Sequence, residues 1–299
     1  MTYSQWRPAS PDATEEELAE HARVKEAANR RFGAAQTLLE MRGIRAPMGQ
    51  GRNPTALFFR ESTFEFVASH PQVGVNRTPP TNVVLRLRNG PRRQIATEAW
   101  HDSFCSPNTR EEEADTRSAL ADKVKVKLGN DPERGMAFFG MGDCNEYPVE
   151  FGETIPPIDW NSPEITDHVH RRHRARKQPD GSWKSCTYLD ELMTDCGMWD
   201  PARYAAHQYG QLSALDPTSG YGPNAVGQGG PQRILRAVAD PWGVQATLEF
   251  NVVPVDGLSD HRLLEWVVSY RKFVEGLERS FDPLPSWMAL AHDWVGQHG

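Results

Sequence analysis

Three observations on the chain predict an α/β fold. Apolar, strand-like runs alternate with helix-like segments along most of its 299 residues, a pattern typical of α/β domains. Two of the strand-like runs end in acidic and polar side chains, at residues 143–145 and 260–261. Hydrophobic residues make up 38% of the chain and charged residues 24%, which suits one large domain with its own core.

The first part of the chain predicts one long helix and then a series of strands. The helix covers residues 10–43, with Thr14 as its N-cap, three glutamates in its first turn and Gly43 as its C-cap. Turn residues separate the strands that follow. These strands are predicted at residues 55–59, 64–67, 82–87 and 94–103.

The rest of the chain continues this alternation, with one long interruption. Residues 107–128 predict a helix, and a strand then ends at Asp143. Residues 146–230 are rich in Pro and Gly, and they predict long loops over one face that shape substrate choice. Short helices are predicted near residues 162–174 and 200–208, strands at 233–238, 245–255 and 263–269, and terminal helices at 271–280 and 285–297. We therefore expect one domain over residues 1–270 and a helical extension over residues 271–299.

Charge and cysteine usage restrict the class of protein. The net charge of −7 argues against a surface that coats nucleic acid, but not against local contact with phosphate through a metal ion. No apolar run reaches membrane-spanning length, so no membrane insertion is expected. The cysteines have no zinc-binding spacing and predict a reducing, cytoplasmic location. They are Cys105, Cys144, Cys186 and Cys196.

Two short motifs predict the halves of one metal–phosphate site. They are Gly142-Asp143-Cys144-Asn145 and Ser259-Asp260-His261, and each follows a strand-like run. Asp and Asn supply hard oxygen ligands, and His titrates near neutrality, so together they suit metal-assisted attack on a phosphate ester. Either motif alone is more simply a turn or a helix cap. Their occurrence together, in this order, favours the functional interpretation.

The order of elements around these motifs resembles a known superfamily. A strand ending in His101, a helix, the Gly-Asp-x-Asn strand, long loops, a strand beginning Arg233-Ile234 and the Ser-Asp-His motif follow one another. This order resembles the endonuclease/exonuclease/phosphatase (deoxyribonuclease I-like) superfamily over about residues 32–268, with actinobacterial members most similar. The resemblance implies a four-layer α/β sandwich, in which two packed, mostly antiparallel sheets are flanked by helices.

The resemblance also implies a reaction and its residues. The reaction is hydrolysis of a phosphodiester or phosphomonoester by water, as in a nuclease or phosphatase, with Mg²⁺ as cofactor and Mn²⁺ as an alternative. Asp143 and Asn145 would orient the phosphate and the water and hold the metal together with Asp260. His261 would act as general base or transition-state stabiliser, and His101 would hydrogen-bond the phosphate.

Two further residues are predicted to bind the substrate. Asn108 would add a contact, although a helix-capping role is an alternative for it, and Arg233 begins the strand before the second motif. The substrate is a phosphate ester and could be nucleic acid, a lipid head group or a small phosphate. The sequence does not determine the oligomeric state.

The chain departs from the superfamily pattern in three places. The strands that carry the family's Asn and its metal-binding Glu are absent before Met1, which suggests a start codon assigned too late or a truncated gene. Leu235 stands where the family has the Asp that orients the catalytic His, and losing such a carboxylate lowers rates by up to about 10⁴-fold. Asp240 or Asp256 could replace it. Asp102 follows His101 where an apolar residue is usual, and it would bind a metal or face solvent.

These departures predict low activity and leave two rival interpretations. The first is a catalytically silent phosphate-binding member of the same fold. The second is a zinc hydrolase, because His168-Val169-His170-Arg171-Arg172-His173 has the spacing of the metallo-β-lactamase motif. Arg172 occupies the Asp position of that motif, and its charge would repel a second metal. The simpler interpretation of this run is a solvated basic helix or loop, which could lie near the substrate phosphate.

Overall fold

The fold is α/β, and a mixed five-stranded sheet lies at its centre. The computed structural model describes residues 10–49, 54–72, 74–126, 136–255 and 257–278. Their strands are β1 (Arg42–Arg45), β2 (Ala56–Phe59), β3 (Phe64–Ser69), β4 (Thr81–Leu87), β5 (Gln94–His101), β6 (Met136–Asp143), β7 (Ala175–Lys177), β8 (Trp183–Ser185), β9 (Leu235–Ala239), β10 (Thr247–Val253) and β11 (Leu263–Val268). Their helices are α1 (Glu15–Leu39), α2 (Pro107–Val126), α3 (His168–Arg174), α4 (Tyr188–Asp195), α5 (Pro201–Tyr209), α6 (Pro241–Gln245) and α7 (Tyr270–Glu278).

The register of the central sheet brings the predicted strand tips together. Its strand order is β3-β4-β5-β6-β9, with β5 and β6 parallel and the other neighbours antiparallel. Asp143, the last residue of β6, is opposite His101 on β5 and opposite Leu235 on β9. The ends of β5 and β6 and the start of β9 therefore meet at one sheet edge.

Helices cover one face of this sheet. On this face, Trp100 of β5, Phe138 of β6 and Val238 of β9 pack with Leu189 and Met193 of α4. Ala114 of α2 joins the same core and is fully buried. This helical layer packs behind β5 and β6.

Two separate ribbons cover the other face. The β1–β2 ribbon packs on β3 and β4 through Phe59 against Val83 and Leu85, and the β10–β11 ribbon packs on β6 and β9. Helix α1 lies outside the first ribbon. Its Phe32 contacts Phe58 of β2, with 5.2 Å between the ring centroids. The predicted α/β class with helices outside is confirmed, and the second layer consists of two ribbons rather than one sheet.

Gly43 has a different role from the predicted one. Helix α1 ends at Leu39, and Glu40 with φ 51° provides its left-handed cap. Gly43 lies in β1, where an added Cβ would be 2.7 Å from both the Phe32 and Phe58 rings. Its lack of a side chain permits the close contact between α1 and the β1–β2 ribbon, so the predicted C-cap at this glycine is wrong.

The long segment after β6 is more regular than predicted. It contains the β7–β8 hairpin and α4, which the composition did not predict, together with α3 and α5. Asp200 caps α5 by accepting a hydrogen bond from the Ala202 N–H at 2.8 Å.

In the part of the chain that the structure describes, no helix is both long and apolar enough to cross a membrane.

At the C-terminal end, α7 packs on the sheet through Phe273 and Leu277. The predicted helix over residues 285–297 lies outside the described residues, and so does the segment around Met1.

Candidate active site at the ends of β5 and β6

The end of β6 requires a close approach to β5. An added Cβ on Gly142 would be 2.2 Å from the Trp100 backbone oxygen, so only glycine fits there. One residue later, the Asp143 carbonyl accepts a hydrogen bond from the Asp102 N–H at 2.8 Å. This contact fixes the position of the Asp143 carboxylate at the sheet edge.

Asn145 is held in a strained turn by its own hydrogen bonds. Its φ of 48° is left-handed, a region that Asn tolerates better than most residues. The Asn145 N–H donates to Asp143 Oδ1 at 2.8 Å, and its Nδ2 donates to the Asp102 backbone oxygen at 2.8 Å. The Asp143 and Asn145 side chains are therefore preorganised, as a reactive site requires.

The two predicted half-sites meet in space. His261 Nε2 lies 3.7 Å from Asp143 Oδ2, although 118 residues separate them in the chain by the difference of their numbers. The His261 side chain is 24% exposed and the Asp143 side chain 8% exposed. A water molecule on the open side could therefore contact both groups.

Among the described residues, no carboxylate is hydrogen-bonded to Nδ1 of the His261 ring. Its Nδ1 is buried and has no hydrogen-bond partner. Leu235, directly opposite Asp143, supplies only hydrocarbon on this face. Asp240 cannot replace the missing acid, because it caps α6 and accepts hydrogen bonds from Gly243 and Phe138 N–H groups at 2.8 Å. Asp256 lies outside the described residues.

His101 and Asp260 complete the set of predicted catalytic residues. His101 ends β5 beside Asp143 and is exposed. Asp260 precedes His261 and is also exposed. The His261 N–H donates to the Ser259 hydroxyl at 3.0 Å, so a Ser-turn supports this half of the site. The β6 half, in contrast, is supported by buried backbone contacts.

The two predicted substrate-binding residues are placed differently. Asn108 is exposed in the first turn of α2, where its Oδ1 accepts a hydrogen bond from Arg176 Nη2 at 2.7 Å. Ser106 caps that helix. Arg233 is 1% exposed, and its guanidinium is bound by Asp200 at 2.6 Å and by Glu153. The prediction that Arg233 binds substrate is wrong, because its charge is buried and paired.

Asp102 is a structural residue. It neither faces solvent nor lies free for a metal, since it is 3% exposed and paired with Arg117 at 2.8 Å. Arg117 also pairs with Glu98 at 3.1 Å and lies over the Trp100 ring. Burial raises the pKa of Asp102, and Arg117 opposes that change. This buried cluster supports the ends of β5 and β6 from the helical side.

The predicted metal-ligand set does not fit. Asn145 Oδ1 already accepts a hydrogen bond from Arg174 Nη2 at 2.6 Å, so a guanidinium already engages one of the predicted ligand oxygens. Asp143 Oδ1 accepts the Asn145 N–H, which leaves Asp143 Oδ2 and the exposed Asp260 as carboxylate donors. Within the described ranges, no three His, Cys, Asp or Glu residues gather in a way that could hold a metal ion.

Arg174 is a site residue that the sequence prediction did not single out. It ends α3, is 9% exposed, and donates to both the backbone oxygen and Oδ1 of Asn145. The signal was the basic run over residues 171–177, which predicts a solvated helix or loop that could lie near the substrate phosphate. His168, His170 and His173 lie along the short helix α3, and no zinc-binding group forms around them in the described part of the chain.

Two buried glutamates lie behind the site. Glu146 is 1% exposed, and its Oε1 accepts the Leu189 N–H at 2.5 Å. Glu113 accepts the Ser103 N–H at 2.7 Å and the Arg77 N–H at 2.9 Å. Burial raises the pKa of both carboxyls to about 7. The protonation of these groups therefore changes near neutral pH, although neither lies at the open edge.

The long loops form a cleft beside the site. It has a volume of about 470 Å³, and Tyr147, Ile158 and Trp183 are among its lining residues. None of the five predicted catalytic residues lines it. The first residue of its lining, Tyr147, is two positions after Asn145. The cleft could therefore hold a part of a substrate, but it does not contain the Asp143–His261 pair.

Several solved structures are similar to this chain. They include a 3'-5' exonuclease from Neisseria meningitidis, at 12% identity and TM-score 0.49, over 79% of this chain and 83% of that chain. An AP endonuclease from Archaeoglobus fulgidus has 11% identity and TM-score 0.47, over 79% and 82%. AP endonuclease LMAP from Leishmania major has 11% identity and TM-score 0.48, over 76% and 69%. No protein-family model and no curated protein sequence matches the chain.

Proposed function

We propose that this protein binds a phosphate ester at the edge formed by His101, Asp143 and His261 and hydrolyses it slowly. The observation that carries the proposal is the 3.7 Å approach of His261 Nε2 to Asp143 Oδ2. A carboxylate and an imidazole from two distant strand tips meet there beside an exposed second imidazole. This is a general-base pair next to a hydrogen-bond donor, and such a set suits attack by water on an electrophilic phosphorus.

The reaction is an in-line displacement by water. His261 Nε2 accepts the proton of the attacking water as the new P–O bond forms, and the ester P–O bond breaks on the opposite side. The leaving oxygen takes up a proton from solvent, and the imidazolium of His261 returns its proton to solvent, so the charge balance is restored. Asp143 stabilises the imidazolium that forms, and His101 donates a hydrogen bond to a phosphate oxygen. Asn145 holds the Asp143 carboxylate through its backbone N–H.

Mg²⁺ dependence stays a prediction, and no step of this scheme requires the metal. Mg²⁺ often binds proteins through one or two carboxylates and keeps its waters, and Asp143 with Asp260 would be those donors. Nucleic acid as the substrate and a cytoplasmic location also stay predictions.

A second candidate function is silent phosphate binding. It is favoured by the His261 Nδ1, which has no acceptor, and by Leu235 beside Asp143. A ring without an orienting acceptor spends less time in the reactive orientation. Such a protein would bind phosphate with the same residues but would show no turnover.

Turnover of bis(p-nitrophenyl) phosphate separates the two candidates. We expect the wild-type chain to release p-nitrophenol slowly, and His261→Gln and Asp143→Asn to lower the rate by about 10²-fold or more. His207→Gln is a matched control, because His207 lies on α5 and its Nε2 contacts the Gly152 oxygen. Equal rates for all four proteins would contradict the proposal. Adding Mg²⁺ or EDTA to each tests the metal requirement.

A further inference from the structure

Arg174 differs from four other buried arginines in the charge around it. Four arginines that are at most 2% exposed each have a carboxylate oxygen within 4.0 Å: Arg110, Arg117, Arg233 and Arg236. Arg174 is 9% exposed, and no carboxylate oxygen of the described residues lies within that distance of its guanidinium. Its charge is therefore buried without an ion-pair partner.

The contacts of Arg174 are with neutral oxygens only. Its Nη1 donates to the Asn145 backbone oxygen, and its Nη2 donates to Asn145 Oδ1 at 2.6 Å. A buried cation held only by dipoles is unfavourable unless another charge compensates it. Burial lowers the pKa of Arg174, and the charge of Asp143 opposes that effect without reversing it. The surroundings of Arg174 therefore favour the arrival of an anion.

The position of Arg174 identifies which anion would compensate it. Asn145 connects its guanidinium to Asp143, because the same residue donates its N–H to Asp143 Oδ1. A guanidinium provides five donors in a plane, which matches the oxygens of a phosphate better than a single ammonium does. Arg174 also supplies positive charge at this edge. A metal ion held by Asp143, Asn145 and Asp260 would otherwise contribute that charge.

We propose that Arg174 is the anion anchor of this site and binds the phosphoryl group without a resident metal ion. This inference rests on the proposed function, since it assigns the charge that neutralises the substrate of the same edge. Arg174 lies at the end of α3, whose residues Arg171 and Arg172 add positive charge on the same helix. The ligand class is therefore a phosphate monoester or diester, with inorganic phosphate as the minimal probe.

Binding of inorganic phosphate to the full chain tests this proposal. Calorimetry in a phosphate-free buffer with excess EDTA would compare the wild type with Arg174→Gln, Arg174→Lys and the control Arg176→Gln. Arg176 is two residues away but is paired with Glu111 at 2.8 Å. We expect the wild type to bind phosphate in EDTA. Arg174→Gln should lose about 10- to 100-fold in affinity, and Arg174→Lys should lose less. The affinity of Arg176→Gln should not change. Equal affinity of Arg174→Gln and wild type would overturn the proposal, and so would wild-type binding that requires Mg²⁺.

A second measurement covers the case in which Arg174→Gln does not fold. The Nε–Hε signal of Arg174, assigned by its loss in Arg174→Lys, would be followed by nitrogen-15 NMR while phosphate is added to the wild type. A saturable shift of this signal supports the anchor role. Phosphate binding that leaves the signal unmoved would overturn it.

The result also separates this inference from the proposed hydrolysis. Turnover that depends on His261 but not on Arg174 would overturn the anchor role and leave the hydrolase intact. Phosphate binding that depends on Arg174, in a protein without turnover, would support the anchor and contradict the hydrolase.

Discussion

The two halves of the candidate site are built very differently. The β6 half is buried and preorganised, with Asp143 and Asn145 held by backbone contacts to β5. The β11 half stands on an exposed turn, where the His261 Nδ1 has no partner. One half of the site is therefore held by buried contacts, whereas the other lies on an exposed turn, and we expect changes in the second half to leave the fold intact. Substitutions should therefore separate stability from function.

The largest expected effect is on the β6 half. Asn145→Ala removes the hydrogen bonds to Asp102 and Arg174 and places Ala at φ 48°. We expect a loss of about 3 kcal/mol in the free energy of unfolding, measured by urea denaturation. Asn108→Ala is the control on the exposed surface, with an expected change within about 0.5 kcal/mol. An Asn145→Ala protein as stable as wild type would show that this half is not preorganised.

The pH dependence of stability reports on the same buried half. The folded protein keeps Glu146 protonated up to a pKa of about 7, whereas the pKa of an ordinary Glu is 4.5. The folded state therefore binds more protons between these values, and stability falls as pH rises through that window and levels off above it. We expect Glu146→Gln to remove about 2 kcal/mol of that decline, measured by urea denaturation at several pH values. An unchanged slope would contradict the raised pKa.

The β11 half can be improved by restoring an acceptor. Leu235→Asp places a carboxylate opposite Asp143, on the face where the His261 ring lies. We expect kcat/KM for the diester to rise by about tenfold, well below the 10⁴-fold limit for such a carboxylate. Leu235→Asn is the matched neutral control. The Nδ1–H signal of His261 in the proton spectrum should appear only if the new bond forms, and its absence together with unchanged kcat/KM would refute the orientation argument.

The smallest expected effect completes the comparison. His261→Gln should change the free energy of unfolding by less than about 0.5 kcal/mol, because the side chain is partly exposed and Nδ1 makes no hydrogen bond. The measurement is urea denaturation alongside the turnover assay. A large loss of stability would show that the exposed turn belongs to the folding core after all.

Local sequence signals predicted most of the central sheet. Alternating apolar runs bounded by turn residues located β2 to β6, β9, β10 and β11 close to their observed bounds. The β1 strand was missed, because the helical pattern of α1 runs into it without a proline or an apolar gap. The β7–β8 hairpin and α4 were missed because they are short and lie in a Pro- and Gly-rich segment. Tertiary packing, rather than local propensity, orders that segment.

The site was predicted in part, for a physical reason. Asp143 ends β6, and His261 lies in the turn before β11. The motifs that contain them can be recognised from sequence, so both were proposed as site residues. Pairing between distant buried charges cannot be recognised from sequence, which is why Arg233 was predicted to bind substrate and Asp102 to bind a metal or face solvent. Arg174 was hidden in a basic run, because sequence does not show which of several neighbouring arginines points inward.

A crystal structure with orthovanadate bound tests the central claim most directly, since vanadate mimics the phosphoryl group. We predict density for one vanadate in contact with His101, Asp143 and His261, with Arg174 within hydrogen-bonding distance of its oxygens. Vanadate bound only in the cleft beside Tyr147 and Trp183, with this edge empty, would contradict the account.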